Sequence, residues 1–112
     1  MKRGSVVLVN LEPTIGSEIK KTRPCIVISP NEMNDVLRTV MVIPITSKHR
    51  ELPTRILLRQ SEQNGLSADS YAVLDQIRTI DKLRIIRSMG CVNEMELQGI
   101  CDSLCEMFAF EE

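Results

Sequence analysis

The sequence predicts an all-β chain, or strictly a β-dominated α+β one: a small barrel of five to seven short strands closed by a C-terminal α-helix. Three observations predict it. Short apolar runs rich in Val and Ile recur through the first ninety residues, separated by Gly, Pro and Asn turn signals. Only the stretch after Asn93 carries a helical period. A length of 112 residues suits one domain, 1–112, with a modest core, so self-association is no surprise.

The elements follow in order. Ser5-Val6-Val7-Leu8-Val9, behind Gly4, reads as a first strand. Glu12 to Lys21, holding Pro13 and Gly16, reads as a loop long enough to suggest function. Cys25–Ser29 is a second strand, and Pro30 to Asp35 is turn chemistry with room for one helical turn. Val40 to Ile45 is nearly all apolar and reads as a strand buried on both faces. Pro44 lacks an N–H and so places that strand's end at an edge or bulge. Thr54 to Leu58 resumes extended structure, Gln63-Asn64-Gly65 is a loop, and Ser70–Leu74 and Gln76–Ile80 are short strands around Asp75. Arg84–Met89 is a further candidate strand. Asn93 with Glu96 matches a capping box, and Leu97, Ile100, Cys101, Leu104, Met107 and Phe108 trace an i, i+3, i+4, i+7 stripe.

Composition narrows the function. The chain is 43% apolar, yet Tyr71, Phe108 and Phe110 are its only aromatics, which argues against a base-stacking platform. Net charge is -1, but all 14 Lys and Arg lie between Lys2 and Arg87 against 9 acids. Residues 88–112 hold 6 acids and no base. That split suits an anionic partner for the basic part, or simply a solvated basic surface beside an acidic helix. Cys25, Cys91, Cys101 and Cys105 form no C-x-x-C pair, so no metal site and no metal or other cofactor is expected. Cys101 and Cys105, four apart on the helix, read as packed thiols. No signal peptide is expected, and no apolar run approaches the ~20 residues that span a bilayer, so the expectation is a reduced cytoplasmic protein without a membrane partner.

Conventional hydrolase motifs are absent: no G-x-S-x-G, no H-E-x-x-H, no phosphate-cradling glycine loop. His49 is the lone histidine and, within Ser47-Lys48-His49-Arg50-Glu51, reads as solvated surface. What remains is Arg23, at the entry to the second apolar run, and Thr46-Ser47, at the end of the third. An arginine and two hydroxyls suit one anion. RNA cleavage by its own 2′-hydroxyl fits this kit, because the substrate supplies the nucleophile. A carboxylate takes the proton, a guanidinium holds the phosphorane oxygens bidentately, and hydroxyls donate to the same phosphate. Arg23, Thr46, Ser47, Glu18 and Asp75 supply those types.

A resemblance joins these pieces. Arg3-Gly4 with its strand, Leu11-Glu12-Pro13-Thr14-Ile15-Gly16-Ser17-Glu18 and Thr22-Arg23-Pro24 resemble the opening of the MazF/PemK (Kid) toxin family. Pro44-Ile45-Thr46-Ser47, Leu52-Pro53-Thr54 and Leu74-Asp75-Gln76-Ile77-Arg78-Thr79-Ile80-Asp81-Lys82 are similar to its later motifs, in the same order. The resemblance implies an SH3-like barrel with a C-terminal helix, usually a homodimer. It implies a metal-independent, sequence-selective endoribonuclease, an mRNA interferase cutting single-stranded RNA to 2′,3′-cyclic phosphate and 5′-hydroxyl ends. It also implies a cognate antitoxin whose acidic, disordered tail fills the RNA groove.

Carried over by residue, the resemblance makes Arg23 and Thr46 catalytic and puts Glu18 and Asp75 among the catalytic candidates. Ser17, Lys20, Lys21, Thr22, Ser47, Gln76 and Arg78 are candidate RNA contacts. Some members carry histidine and arginine where this chain has Ser17 and Val73, so those two roles do not transfer. A guanidinium keeps its proton in proteins, so Arg23 is read as a transition-state clamp, with Glu18 or Asp75 as base. Plainer structural readings stand beside these. Arg23 pairs with Glu18, Thr46 bonds its own backbone, Asp75 braces a turn, Asp81 caps a turn, Gln76 and Arg78 are solvent surface, and Lys20 and Lys21 attract phosphate non-specifically. Two other functions compete: a gyrase-poisoning toxin of similar fold, and an SH3-like interaction module, the latter disfavoured by the scarcity of aromatics.

Overall fold

Alternation of aliphatic residues on both sides of each strand builds a sheet that is covered twice. The computed structural model describes residues 1–111. Its strands are β1 (Ser5–Asn10), β2 (Thr22–Val27), β3 (Thr39–Thr46), β4 (Arg55–Leu58), β5 (Ser70–Val73), β6 (Arg78–Asp81) and β7 (Ile85–Cys91). Its helices are α1 (Asn31–Val36) and α2 (Glu94–Met107). All pairings are antiparallel, in the order β4-β5-β3-β2-β1-β7, with β6 also on β3. The fold expected from the sequence is therefore present at the upper end of its strand count.

One sheet face gathers Val6, Ile26, Ile43, Ile45, Ala72 and Leu74 beneath Leu97, Ile100 and Leu104 of α2. The other gathers Val7, Val9, Cys25, Val27, Val40 and Val42 with Leu11 and Ile80. This is the period of two in physical form: neighbours along a strand enter opposite cores. Each fully buried aliphatic side chain contributes about 1.5–3 kcal/mol of transfer free energy, so α2 is held by its stripe rather than by its own propensity. Asn93 accepts from the Glu96 amide at 2.8 Å and Glu96 returns the bond to the Asn93 amide at 3.1 Å, completing the capping box.

β3 organises the curl. On one side it pairs β2 through Val42–Pro44, and on the other it pairs β6 through Thr39–Val42 and then β5 through Ile45–Thr46. Pro44, which its sequence places at an edge or bulge, thus sits inside the sheet, paired with Cys25 on one side only. It occupies the gap where β3 changes partner, where a residue without an N–H costs least. β2 also begins earlier than its apolar run: Thr22, Arg23 and Pro24 ladder to Asn10, Val9 and Leu8. Gln76 belongs to a 3₁₀ turn, Leu74–Gln76, between β5 and β6. At the seam beside β7, Cys91 donates to the Gln63 carbonyl at 2.9 Å. A side chain at Gly90 would stand 2.0 Å from that same oxygen, so only glycine permits the approach. No helix of the described residues is long and apolar enough to cross a membrane.

Removing the cap tests this account of α2. Asn93→Ala is expected to lower unfolding free energy by about 1 kcal/mol in a urea titration, with the denaturant slope unchanged.

Candidate functional site

The β2–β3 register pairs Cys25 with Pro44, Ile26 with Ile43 and Val27 with Val42. Continued two residues, it sets Arg23 opposite Thr46. There the ladder stops, because Thr22–Pro24 pair only with β1 while Ile45–Thr46 pair only with β5. The two strands diverge, and the gap is a groove of about 610 Å³ lined by both Arg23 and Thr46. The sequence expected these two residues to converge, and the strand register explains how they do so.

Arg23 has no carboxylate partner among the described residues: the ion pairs there are Arg55–Asp75 and Arg59–Asp69. The plainer pairing with Glu18 does not form. The Arg23 Nε donates to the Lys20 carbonyl at 3.1 Å, which fixes the fork from behind. Thr46 is 8% exposed and its Oγ1 accepts from the Lys48 amide at 3.2 Å. The local backbone bond expected of a strand-ending threonine is therefore made. It uses a lone pair and leaves the hydroxyl proton free to donate. Lys20, Lys21, Arg23, Lys48, Arg50 and Arg55 line the groove against Glu18 alone, so the basic bias of the sequence is concentrated here.

Loop 11–21 forms the opposite wall. Its ends are tied by the Leu11 amide on the Lys21 carbonyl at 3.0 Å and the Lys21 amide on Glu12 Oε1 at 2.9 Å. Lys21 adopts φ 68°, unusual for a side-chain-bearing residue, and these two bonds hold it there. The Lys21 amide holds the Glu12 carboxyl below its ordinary value against the opposing effect of desolvation, and the Thr14 hydroxyl adds to the lowering. A carboxyl lowered in this way favours the folded loop at neutral pH and ceases to as pH falls through its lowered value. Glu18 Oε1 accepts from the Ile15 amide at 2.7 Å, leaving its second oxygen to the groove. Buried Leu11 and half-buried Ile19 anchor the loop in the second core.

Gln76 and Arg78 act on this loop from below. Gln76 accepts from the Ile19 amide at 2.7 Å and donates to the Ser17 carbonyl at 3.3 Å, while Arg78 donates to the Leu11 carbonyl at 3.4 Å. They are braces, not simple solvent surface. With Asp75 they line a second groove of about 440 Å³, which shares Ser17, Glu18 and Ile19 with the first. Asp75 lies outside the Arg23–Thr46 groove and pairs with Arg55, Nε to Oδ1 3.6 Å. Asp81 caps the turn at Lys82–Arg84 by accepting from the Leu83 amide at 2.8 Å.

Ser47, one residue past the end of β3, does not line the Arg23–Thr46 groove. It lines a separate pocket of about 290 Å³ with Arg23, Pro24, Ile45 and Arg87. Thr22 is exposed at the start of β2, on the strand face opposite Arg23. Sequence reasoning missed Arg55, whose place depends on the β4–β5 register, and Lys48 and Arg50, whose proximity to Thr46 in sequence was the available signal. It also set His49 aside as plain surface. Although exposed, His49 lines the groove and its ring sits 4.9 Å from that of Tyr71, tilted 55°. Among the described residues no group of three or more His, Cys, Asp or Glu comes together in a metal-holding arrangement. All four cysteines are free; Cys101 packs from α2 onto the first core, whereas Cys105 is exposed rather than packed.

Two measurements check the bracing and the core. Gln76→Ala removes the acceptor for the Ile19 amide and is expected to speed its hydrogen exchange severalfold, by the ~1 kcal/mol such a bond contributes. Burial pushes the Cys25 thiol up to about 12, the Arg78 charge pulling weakly the other way. Because the thiolate is the nucleophile, iodoacetamide at neutral pH is expected to alkylate exposed Cys91 and Cys105 and spare Cys25 until the chain unfolds.

Comparison with known proteins gives the same picture independently. Residues 2–108 match the model of the PemK-like, MazF-like toxin of type II toxin-antitoxin system. Endoribonuclease EndoA of Bacillus subtilis is 38% identical over 106 residues, covering 93% of this chain and 90% of that protein. Endoribonuclease MazF9 of Mycobacterium tuberculosis is 33% identical over 110 residues, covering 93% and 92%. MazF from Deinococcus radiodurans superposes with a TM-score of 0.85 at 22% identity, covering 98% of this chain and 97% of that one. An endoribonuclease solved in complex with its cognate antitoxin, from a mycobacterial species, superposes at 0.80 and 20% identity, covering 99% of each. With its Arg23–Thr46 groove and braced loop, the chain belongs to the PemK-like, MazF-like family of type II toxins.

Proposed function

We infer that the chain is an endoribonuclease toxin, an mRNA interferase, and that the groove between β2 and β3 is where it cuts single-stranded RNA. The observation that carries this is an arginine free of any carboxylate and a buried hydroxyl with its proton to give, both lining one basic groove. The family match and the endoribonuclease names of the relatives support the same reading and lend none to a gyrase-poisoning protein.

The chemistry follows from the groove. The RNA supplies its 2′-hydroxyl. Glu18, whose second carboxylate oxygen is unused, shares the groove with Arg23 and Thr46, whereas Asp75 lies in the adjoining one. Glu18 is therefore the base of this reading. It takes the 2′ proton as the 2′-oxygen bonds to phosphorus. The Arg23 fork and the Thr46 hydroxyl hold the oxygens on which charge accumulates. The bond from phosphorus to the 5′-oxygen breaks, that oxygen takes a proton from water, and the ends are a 2′,3′-cyclic phosphate and a 5′-hydroxyl. None of these steps calls on a metal. Ser17, Lys20 and Lys21 border the track of the backbone, and Gln76 and Arg78 serve it by holding the loop.

The same six cations suit the acidic, disordered tail of a cognate antitoxin, which competes with RNA by occupying its groove. A homodimer belongs to this reading too: exposed Leu83, Ile86 and Met95 are the kind of surface that a second copy covers. Acting on mRNA, the toxin works in the cytoplasm.

The test is incubation of pure protein with a defined long RNA in excess EDTA, followed by end-group mapping. Cleavage at a recurring sequence with cyclic phosphate and 5′-hydroxyl ends is expected. Arg23→Ala is expected to lose a factor of ~10²–10³, about 3–4 kcal/mol of barrier, while melting as wild type does. Intact RNA, or full activity in the variant, removes the reading.

A further inference from the structure

Arg55 stands out as a largely enclosed cation whose Nε no hydrogen bond accounts for. On β4 it faces Val73 of β5 across the ladder. The corner that follows is fixed by the Leu74 amide on the Thr54 carbonyl at 2.9 Å, which carries Asp75 alongside Arg55. The Arg55 side chain is 12% exposed and its Nε lies 3.6 Å from Asp75 Oδ1, too far for a hydrogen bond. That Nε is buried without a hydrogen-bond acceptor, with the Asp75 carboxylate lying alongside it. The Nε is closed off beside Asp75, so the two outer nitrogens of the fork are the ones that acceptors arriving with a ligand can meet.

The place it occupies says which acceptors. Arg55 lines the groove that holds Arg23, Thr46 and Glu18, so its free nitrogens front the anion that the groove is built to take. Asp75 cannot reach that groove wall in the same way, since it borders the neighbouring groove. Its charge offsets that of Arg55 on one side only, fixing the direction of the fork without consuming its hydrogen bonds. Lys48 and Arg50 also line this groove but are exposed on loop 47–53 and are not fixed in this manner.

We propose that Arg55 is a second catalytic guanidinium, donating to the non-bridging oxygens of the pentacoordinate phosphate together with Arg23, and that Asp75 is the positioning residue that aims it. The proposal rests on the ribonuclease reading above. It adds no bond to the reaction: the 2′ proton still goes to Glu18, the 5′-oxygen is still protonated by water, and both arginines stay charged throughout. It does reassign Asp75 from candidate base to support. A planar fork offers two donors to one phosphate, so lysine is a poor substitute.

Steady-state cleavage of a defined oligoribonucleotide by wild type, Arg55→Ala, Arg55→Lys, Asp75→Asn and the Arg55→Ala/Asp75→Asn pair tests this, with melting curves as the folding control. Arg55→Ala is expected to lower kcat at least about tenfold, more than it raises KM. Millimolar guanidinium ion is expected to restore part of that loss and to leave wild type unchanged. Asp75→Asn is expected to cost less than Arg55→Ala and to add nothing to it, since both act through one group. A kcat for Arg55→Ala within about twofold of wild type overturns the proposal, as does an Asp75→Asn loss larger than that of Arg55→Ala. Should Arg55→Ala not fold, Arg55→Lys carries the decision by the same twofold criterion. Wild type that leaves RNA uncut removes the underlying ribonuclease reading instead, a result distinct from any of these.

Discussion

The antiparallel register between β2 and β3 is the constraint on which the site depends. With Cys25 fixed against Pro44, the positions of Arg23 and Thr46 are opposed across the point where the two strands part. Neither side chain reaches out from a mobile loop; both stand at the ends of strands packed on two cores. On the ribonuclease reading proposed above, this rigidity matters because the protein supplies no nucleophile. Positioning and charge stabilisation are then almost all it contributes, and both are lost if the groups wander by an ångström or so.

Forming that gap depends on β3 having too many neighbours to satisfy with one straight ladder. It serves β6 first and β5 afterwards, and β2 on its other edge. The change of partner bends the sheet and draws β3's last residues away from β2. The opening left behind is filled from the side by loop 11–21, which is far from a floppy lid. Leu11 and Ile19 are packed in the core, Glu12 ties its two ends together, and Gln76 grips its middle through both ends of one amide. A basic surface is thereby brought around a gap that Glu18 alone lines as a carboxylate.

Much of this was legible in the linear chain because it is encoded locally. The capping box at Asn93 and the stripe to Phe108 gave α2 almost to the residue, and alternating Val and Ile gave most strands. Arg23, Thr46 and Glu18 were identifiable by residue type and by resemblance. What eluded the sequence lies in pairings between distant segments. Pro44 looked like an edge or bulge residue because nothing local announces that β3 changes partner there. Ser47 looked like a companion of Thr46, although it falls one residue past the end of β3 and does not line the groove. Arg55 attracted no notice because its meaning comes from facing Val73 and, round the next corner, Asp75. Gln76 was placed on a strand, and its 3₁₀ turn is what lets it reach a loop nearly sixty residues away.

The forked ladder of β3 also governs how such a protein is free to change over generations. Exposed polar connections away from the groove can lengthen or shorten with little consequence for its geometry. A single inserted or deleted codon between Ile43 and Thr46 is another matter. It would exchange the two faces of the strand tip and take Thr46 out of the groove, an insertion putting Ile45 in its place and a deletion Ser47. Lineages of this toxin should therefore vary in loop length and surface charge away from the groove while β3 keeps a fixed count of residues.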